Sequence, residues 1–138
     1  MTRVSSHWLR INRAFLLLAA GQALHSLEEY LTELWEHLAP ARYVSSLVSD
    51  DLALGFVAIN LAIVALIFWT YFSAVKTRTP ASRGLVWFWA ILETLNGIGH
   101  IGFGMNAGGY FPGLYSAPLL MLTGLYLISQ LARQETGI

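Results

Sequence analysis

Leu52-Ala-Leu-Gly-Phe-Val-Ala-Ile-Asn60-Leu-Ala-Ile-Val-Ala-Leu-Ile-Phe-Trp69, continued to Val75, holds one amide and no charge. A helix needs about 20 such residues, at 1.5 Å each, to cross the hydrocarbon of a bilayer. This stretch therefore reads as a transmembrane helix, and the rest of the chain is read outward from it. Three more runs of similar length flank it, over residues 11–33, 84–105 and 113–132. The expectation is an all-α chain, a single domain over 1–138 folded as a four-transmembrane-helix bundle.

Composition agrees. Of 138 residues 56% are hydrophobic and 12% charged, whereas a soluble domain carries about 25% charged residues to cover its wet faces. The formal net charge is zero, so no field gathers a polyanion, and nucleic acid is excluded as a partner. The absence of cysteine excludes disulfides, thiolate metal sites and a Cys nucleophile. The opening Met1-Thr-Arg-Val-Ser-Ser-His-Trp lacks the pattern of a cleaved signal peptide. If four spans alternate, Arg3, Arg10, Arg13, Lys76, Arg78, Arg83 and Arg133 fall on one side and Arg42 on the other. The bias of Lys and Arg toward the cytoplasm then places both termini there, in a multi-pass protein of a bacterial inner (plasma) membrane with lipid as its surroundings.

Against this apolar background the ionisable residues stand out, since each costs about 2.5–3.5 kcal/mol at the centre of a membrane helix and such residues mark functional sites. His25, Glu28 and Glu29 follow one another at i, i+3 and i+4; Glu93, Asn96 and His100 at i, i+3 and i+7. Each set lies on one helical face. At 1.5 Å per residue His25 stands about 18 Å above Arg13, and Glu93 about 15 Å above Arg83. Asn60, descending from the far side, reaches a similar level, so three helices converge on one polar pocket. Two imidazoles and three carboxylates in such a pocket suit a divalent metal, zinc, iron or manganese, and the expected ligands are His25, Glu28, Glu29, Glu93 and His100. Glu28, Glu29, Glu93, Asn96 and Tyr110 are the candidates for moving protons or orienting substrate. The alternative for the same residues is a set of neutral carboxyl groups hydrogen-bonded to His and Asn.

Three short motifs, in order, carry a resemblance: His25-Ser26-Leu27-Glu28-Glu29, Asn96-Gly97-Ile98-Gly99-His100 and Tyr110-Phe111-Pro112-Gly113. Together they resemble the HXXEE family of small integral membrane proteins, a domain of unknown function, over most of the chain. The resemblance implies the membrane class and supports the site; it names no reaction. Pro112 and Gly113 read as a turn ahead of the fourth helix. Tyr110 is also placed to turn its hydroxyl toward the pocket.

The remaining features have structural readings. His7 and His37 fall off the site face. Trp35, Trp69, Trp87, Trp89, Tyr30 and Tyr71 sit near span ends as interfacial anchors. Gly97, Gly99, Gly102 and Gly104 allow close helix approach or local unwinding, and Gln22 extends the polar lining. The leading functional expectation is a metal-dependent or acid–base membrane enzyme acting on a lipophilic small molecule. Its rivals are a proton or divalent-cation transporter, which would require a homo-oligomer, and a non-catalytic accessory subunit.

Overall fold

The computed structural model describes residues 3–136, with side chains from 6 to 133. Met1, Thr2 and the Arg3 side chain, which entered the reading of the N-terminus and its charge, lie outside the described residues. The chain is all-helical among the described residues, with α1 at Arg3–Leu31, α2 at Leu34–His37, α3 at Ala39–Ser46 and α4 at Leu52–Thr70. A π-helical turn, Tyr71–Val75, prolongs α4, and α5 (Ser82–Ala107) and α6 (Ala117–Thr136) complete the fold. The short helices α2 and α3 occupy the link after the first long helix, a stretch outside the four apolar runs.

The four long helices run alternately up and down, as their end-to-end contacts fix. At one end Trp8 Nε1 donates to the Val75 carbonyl at 3.1 Å, and His7 Nε2 lies 3.1 Å from the Gln130 carbonyl. At the other, Glu28 of α1 meets Tyr110, Tyr115 and Ser116 of the α5–α6 link. Several helix ends have a local cause. Thr32 returns its hydroxyl to the Glu28 carbonyl and Glu33 turns left-handed at φ 56°, which ends α1. The Asp51 carboxylate caps α4 by accepting from Leu54 N. Gly108, at φ 68°, closes α5.

The buried faces of α1 and α5 repeat one pattern. On α1 the buried positions include Ile11, Phe15, Leu18, Gln22, His25 and Glu29; on α5, Val86, Ala90, Glu93, Gly97, His100 and Gly104. Both stripes advance by alternating steps of three and four, the spacing of a helix face that packs against neighbours. The lower half of each stripe is apolar and joins Ile67, Val75, Leu120, Leu127 and Leu131 in one core. A smaller cluster of Leu34, Trp35 and Phe56 caps the upper end. Between the two lies the polar layer.

Close approach of α5 and α6 rests on glycine: a Cβ on Gly97 would stand 2.6 Å from the Ala117 carbonyl and 2.9 Å from Met121 Cβ. Gly99 and Gly102 face open space, and α5 is helical throughout the series, so it does not unwind. Three of the aromatic residues expected as interfacial anchors belong instead to the interior. Trp35 and Trp89 are buried, the latter donating to Thr70 Oγ1 at 3.2 Å, and buried Tyr71 donates to Asn12 Oδ1 at 3.0 Å. The polar tips of Trp89 and Tyr71 find partners inside the protein, which removes their need for the interface, and the Trp35 ring packs on Phe56. Trp69 and Tyr30 are exposed.

Of the four runs read as spans, α4 with its π turn, Leu52–Val75, is the one described helix whose length and composition are sufficient to cross a membrane. The other long helices interleave Glu, His, Asn, Gln or Arg with their apolar residues.

Candidate metal centre

His25 is fully buried on α1, and Glu29 follows it one turn later on the same stripe. His100 of α5 faces them, its ring edge-on to that of His25 with centroids 4.6 Å apart. The Glu29 Oε1 atom lies 3.3 Å from His25 Nε2 and 3.1 Å from His100 Nε2. One donor atom from each of the three residues falls within 4.8 Å of the others.

The far nitrogens of both rings are held by the link before α6. His100 Nδ1 lies 2.6 Å from the Pro112 carbonyl, which can only accept, so Nδ1 carries the proton. His25 Nδ1 lies 2.7 Å from Ser116 Oγ. That hydroxyl directs its own single proton to Glu28 Oε2 or, at longer range, to the Gly113 carbonyl. Both are acceptors, so Ser116 Oγ must receive a proton from His25 Nδ1. Both tautomers are thereby fixed, and in the neutral rings both Nε2 lone pairs point toward one carboxylate oxygen. His25 Nε2 is buried without a hydrogen-bond partner, within distance of Glu29 but out of alignment with it.

This is the arrangement of a metal-binding histidine, which donates from one nitrogen to a protein acceptor and offers the other. Four ligands about 2.0–2.1 Å from a zinc ion stand about 3.3 Å from one another. The two Nε2–Oε1 separations already match that edge.

Gly113 makes the geometry available. At φ 85° it is left-handed, and a Cβ there would lie 2.7 Å from both His100 Nδ1 and His25 Cε1. Only glycine lets the link pass this close over two imidazoles.

The other residues singled out in the sequence are placed as follows. Glu28, one position off the core stripe, faces the link and accepts from Tyr110 OH at 2.8 Å, Tyr115 N at 3.0 Å, and Ser116 N at 2.8 Å as well as its hydroxyl. It is thus outside the His25–Glu29–His100 cluster and acts as an anion at the start of α6, where unpaired N–H groups favour negative charge. Tyr110 is its partner; partial burial, then the adjacent Glu28 carboxylate, holds the phenol above its ordinary pKa and so protonated as a donor. Glu93 is buried on the α5 stripe below His100, with Asn96 Nδ2 at 3.4 Å from its Oε2. Asn60 of α4 accepts from Ser26 Oγ at 2.8 Å, and Ser26 accepts from Gln22 Nε2 at 3.1 Å. His7 and His37 are remote from the cluster: His7 sits at the opposite end of α1, and His37 is exposed on α2.

Ser116 and the Pro112 carbonyl were not singled out in the sequence. A serine three residues after Pro-Gly and directly ahead of an apolar run is a helix-start signal, and it would have marked the residue without revealing what it holds.

The profile of the family described as "Protein of unknown function with HXXEE motif" matches residues 16–127, and the chain belongs to that family. No curated protein and no solved structure matches it.

Proposed function

We propose that this HXXEE-family chain is a four-span membrane protein, both termini cytoplasmic, in which His25, Glu29 and His100 hold one divalent metal ion and Glu93 moves protons in a reaction on a lipid-soluble substrate. The observation that carries the metal is that both Nδ1 atoms are committed to protein partners while both Nε2 atoms converge on one carboxylate oxygen. Three buried donor groups brought together in this way are stabilised by a shared cation, a metal ion or a proton on an imidazole. A set of two imidazoles and one carboxylate suits zinc, iron or manganese and leaves coordination positions open, as in catalytic rather than structural sites. A metal so bound polarises a substrate oxygen or activates water.

The membrane reading is supported by what the long helices turn outward. Leu17, Leu24 and Leu31 on α1, Leu61 and Trp69 on α4, Leu95 and Ile98 on α5, and Leu122 on α6 are all exposed. A bundle in water would present charge on those faces. The transport alternative is disfavoured by the apolar layer beneath the site: Phe15, Leu18, Ile67, Val86 and Leu127 are wholly buried there, offering a single chain no polar route for an ion.

The test is metal content by mass spectrometry of the detergent-purified protein, alongside Glu29→Gln and His100→Asn variants of unchanged helicity. One zinc, iron or manganese per chain in the parent, lost in both variants, is the expected result. A parent that stays metal-free after resupply of all three would overturn the metal and turn attention to proton transfer.

A further inference from the structure

Beside the cluster, α4 and α5 both pack on the π turn but separate above it. The cleft between them has a volume of about 500 Å³ and is floored by α1. Its inner wall is polar, made by Gln22, Glu29, Asn60, Glu93 and Asn96; its outer walls are apolar, with Ile63 on one side and Leu92 and Leu95 on the other. Leu92 and Leu95 are 42% and 61% exposed and stand at the mouth, which faces where the bilayer would lie.

The polarity of the inner wall has a sign. Gln22 Nε2 donates to Ser26 Oγ, Ser26 donates to Asn60 Oδ1, and Asn60 Nδ2 donates to the Phe56 carbonyl at 3.1 Å. This one-way chain fixes both amide orientations. It leaves Gln22 Oε1, on a residue only 3% exposed, as a buried acceptor with no partner. Glu29 and Glu93 present acceptors on the same wall, and no Lys, Arg or His lines the cleft. A buried acceptor without a donor is costly, so the missing partner belongs to something that enters.

We infer that the α4–α5 cleft admits from the bilayer a single-chain amphiphile whose head donates hydrogen bonds, a long-chain alcohol or amine, with the head at Gln22 and Glu93 and the chain between Ile63 and Leu95. This rests on the membrane reading above and supplies the substrate class for the same site. An anionic head is disfavoured at Gln22 and Glu93, because no Lys, Arg or His side chain lines the cleft to receive it there.

The test uses the full chain in detergent, with binding of hexadecan-1-ol, hexadecylamine and hexadecanoate each measured by native mass spectrometry, and metal content read on the same samples. Saturable binding of one alcohol or one amine per chain, at least about tenfold tighter than hexadecanoate, is expected; whichever binds identifies the head. Gln22→Leu should weaken that binding about tenfold, the loss of one hydrogen bond to a buried acceptor. Leu95→Trp, which fills the mouth, should weaken it as much, whereas Leu122→Trp, on the outward face of α6, should not. Equal binding of all three probes, or equal effects of the two tryptophans, would overturn the inference. The metal reading is scored separately: a metal-free chain that still selects the alcohol or amine refutes the metal alone, and a metal-loaded chain without selection refutes the amphiphile alone.

Discussion

Replacing Gly113 with alanine perturbs the proposed centre through a single methyl group. The new Cβ would sit 2.7 Å from His100 Nδ1 and His25 Cε1, about 0.7 Å inside the 3.4 Å at which ordinary contact begins. Both rings are hemmed in, one by the Pro112 carbonyl and the other by Ser116, so they must move together or the link must lift. Ligand distances in a metal site tolerate about 0.2 Å. The displacement therefore exceeds the tolerance several-fold, and metal affinity should fall by at least about 100-fold. The left-handed backbone adds about 1–2 kcal/mol of destabilisation for any residue with a Cβ. Gly108 separates the two effects, because it shares the left-handed conformation at φ 68° but a Cβ there meets nothing within 4 Å. Gly108→Ala should lower thermal stability while keeping the metal; Gly113→Ala should lose it. Titration with a competing chelator, monitored by metal mass spectrometry, reads the affinity directly. A Gly113→Ala protein that binds metal like the parent would refute the claim that this link holds the two imidazoles in place.

Ser116→Ala removes the acceptor of His25 Nδ1 and should weaken metal binding about 10–100-fold, the usual effect of losing a group that orients a ligand, in the same chelator titration. Glu28→Gln keeps the shape of the α6 clamp but weakens four hydrogen bonds. It should cost about 1–3 kcal/mol in thermal or denaturant unfolding while metal stoichiometry stays at one per chain. Because the chain has no cysteine, single cysteines report topology without background. In intact cells an impermeant maleimide should label Val48→Cys and Ala107→Cys but reach Ala81→Cys only after permeabilisation, and the reverse pattern would invert the orientation.

The repeat of threes and fours, which fixes what faces inward, can be read from the sequence alone. It brought His25 and Glu29 onto one line and His100 onto another, and the depth count set the two lines level. What it could not resolve was the choice between adjacent carboxylates. Glu28 and Glu29 point about 100° apart on a helix, and either could face the partner helix until the partner's direction is known. Glu29 turns to the imidazoles and Glu28 to the link. The aromatic residues failed for a related reason: Trp35, Tyr71 and Trp89 occur where interfacial anchors occur, but each has an internal hydrogen-bond partner or a packed ring that only the assembled fold supplies. Ser116 and the Pro112 carbonyl belong to a link with no periodicity, so position along the chain said nothing of what they would touch.

The two imidazoles are carried by α1 and α5, yet neither helix sets their tautomers. Both Nδ1 partners come from residues 112–116, which follow α1 and α5 along the chain and immediately precede α6. In a chain made from its N-terminus, the donors on α1 and α5 thus exist before anything orients them, with free rotation about each ring and no preferred nitrogen. Only the arrival of α6 converts them into a matched set, which makes competence a late event in assembly and leaves a chain arrested before that point without an ordered centre.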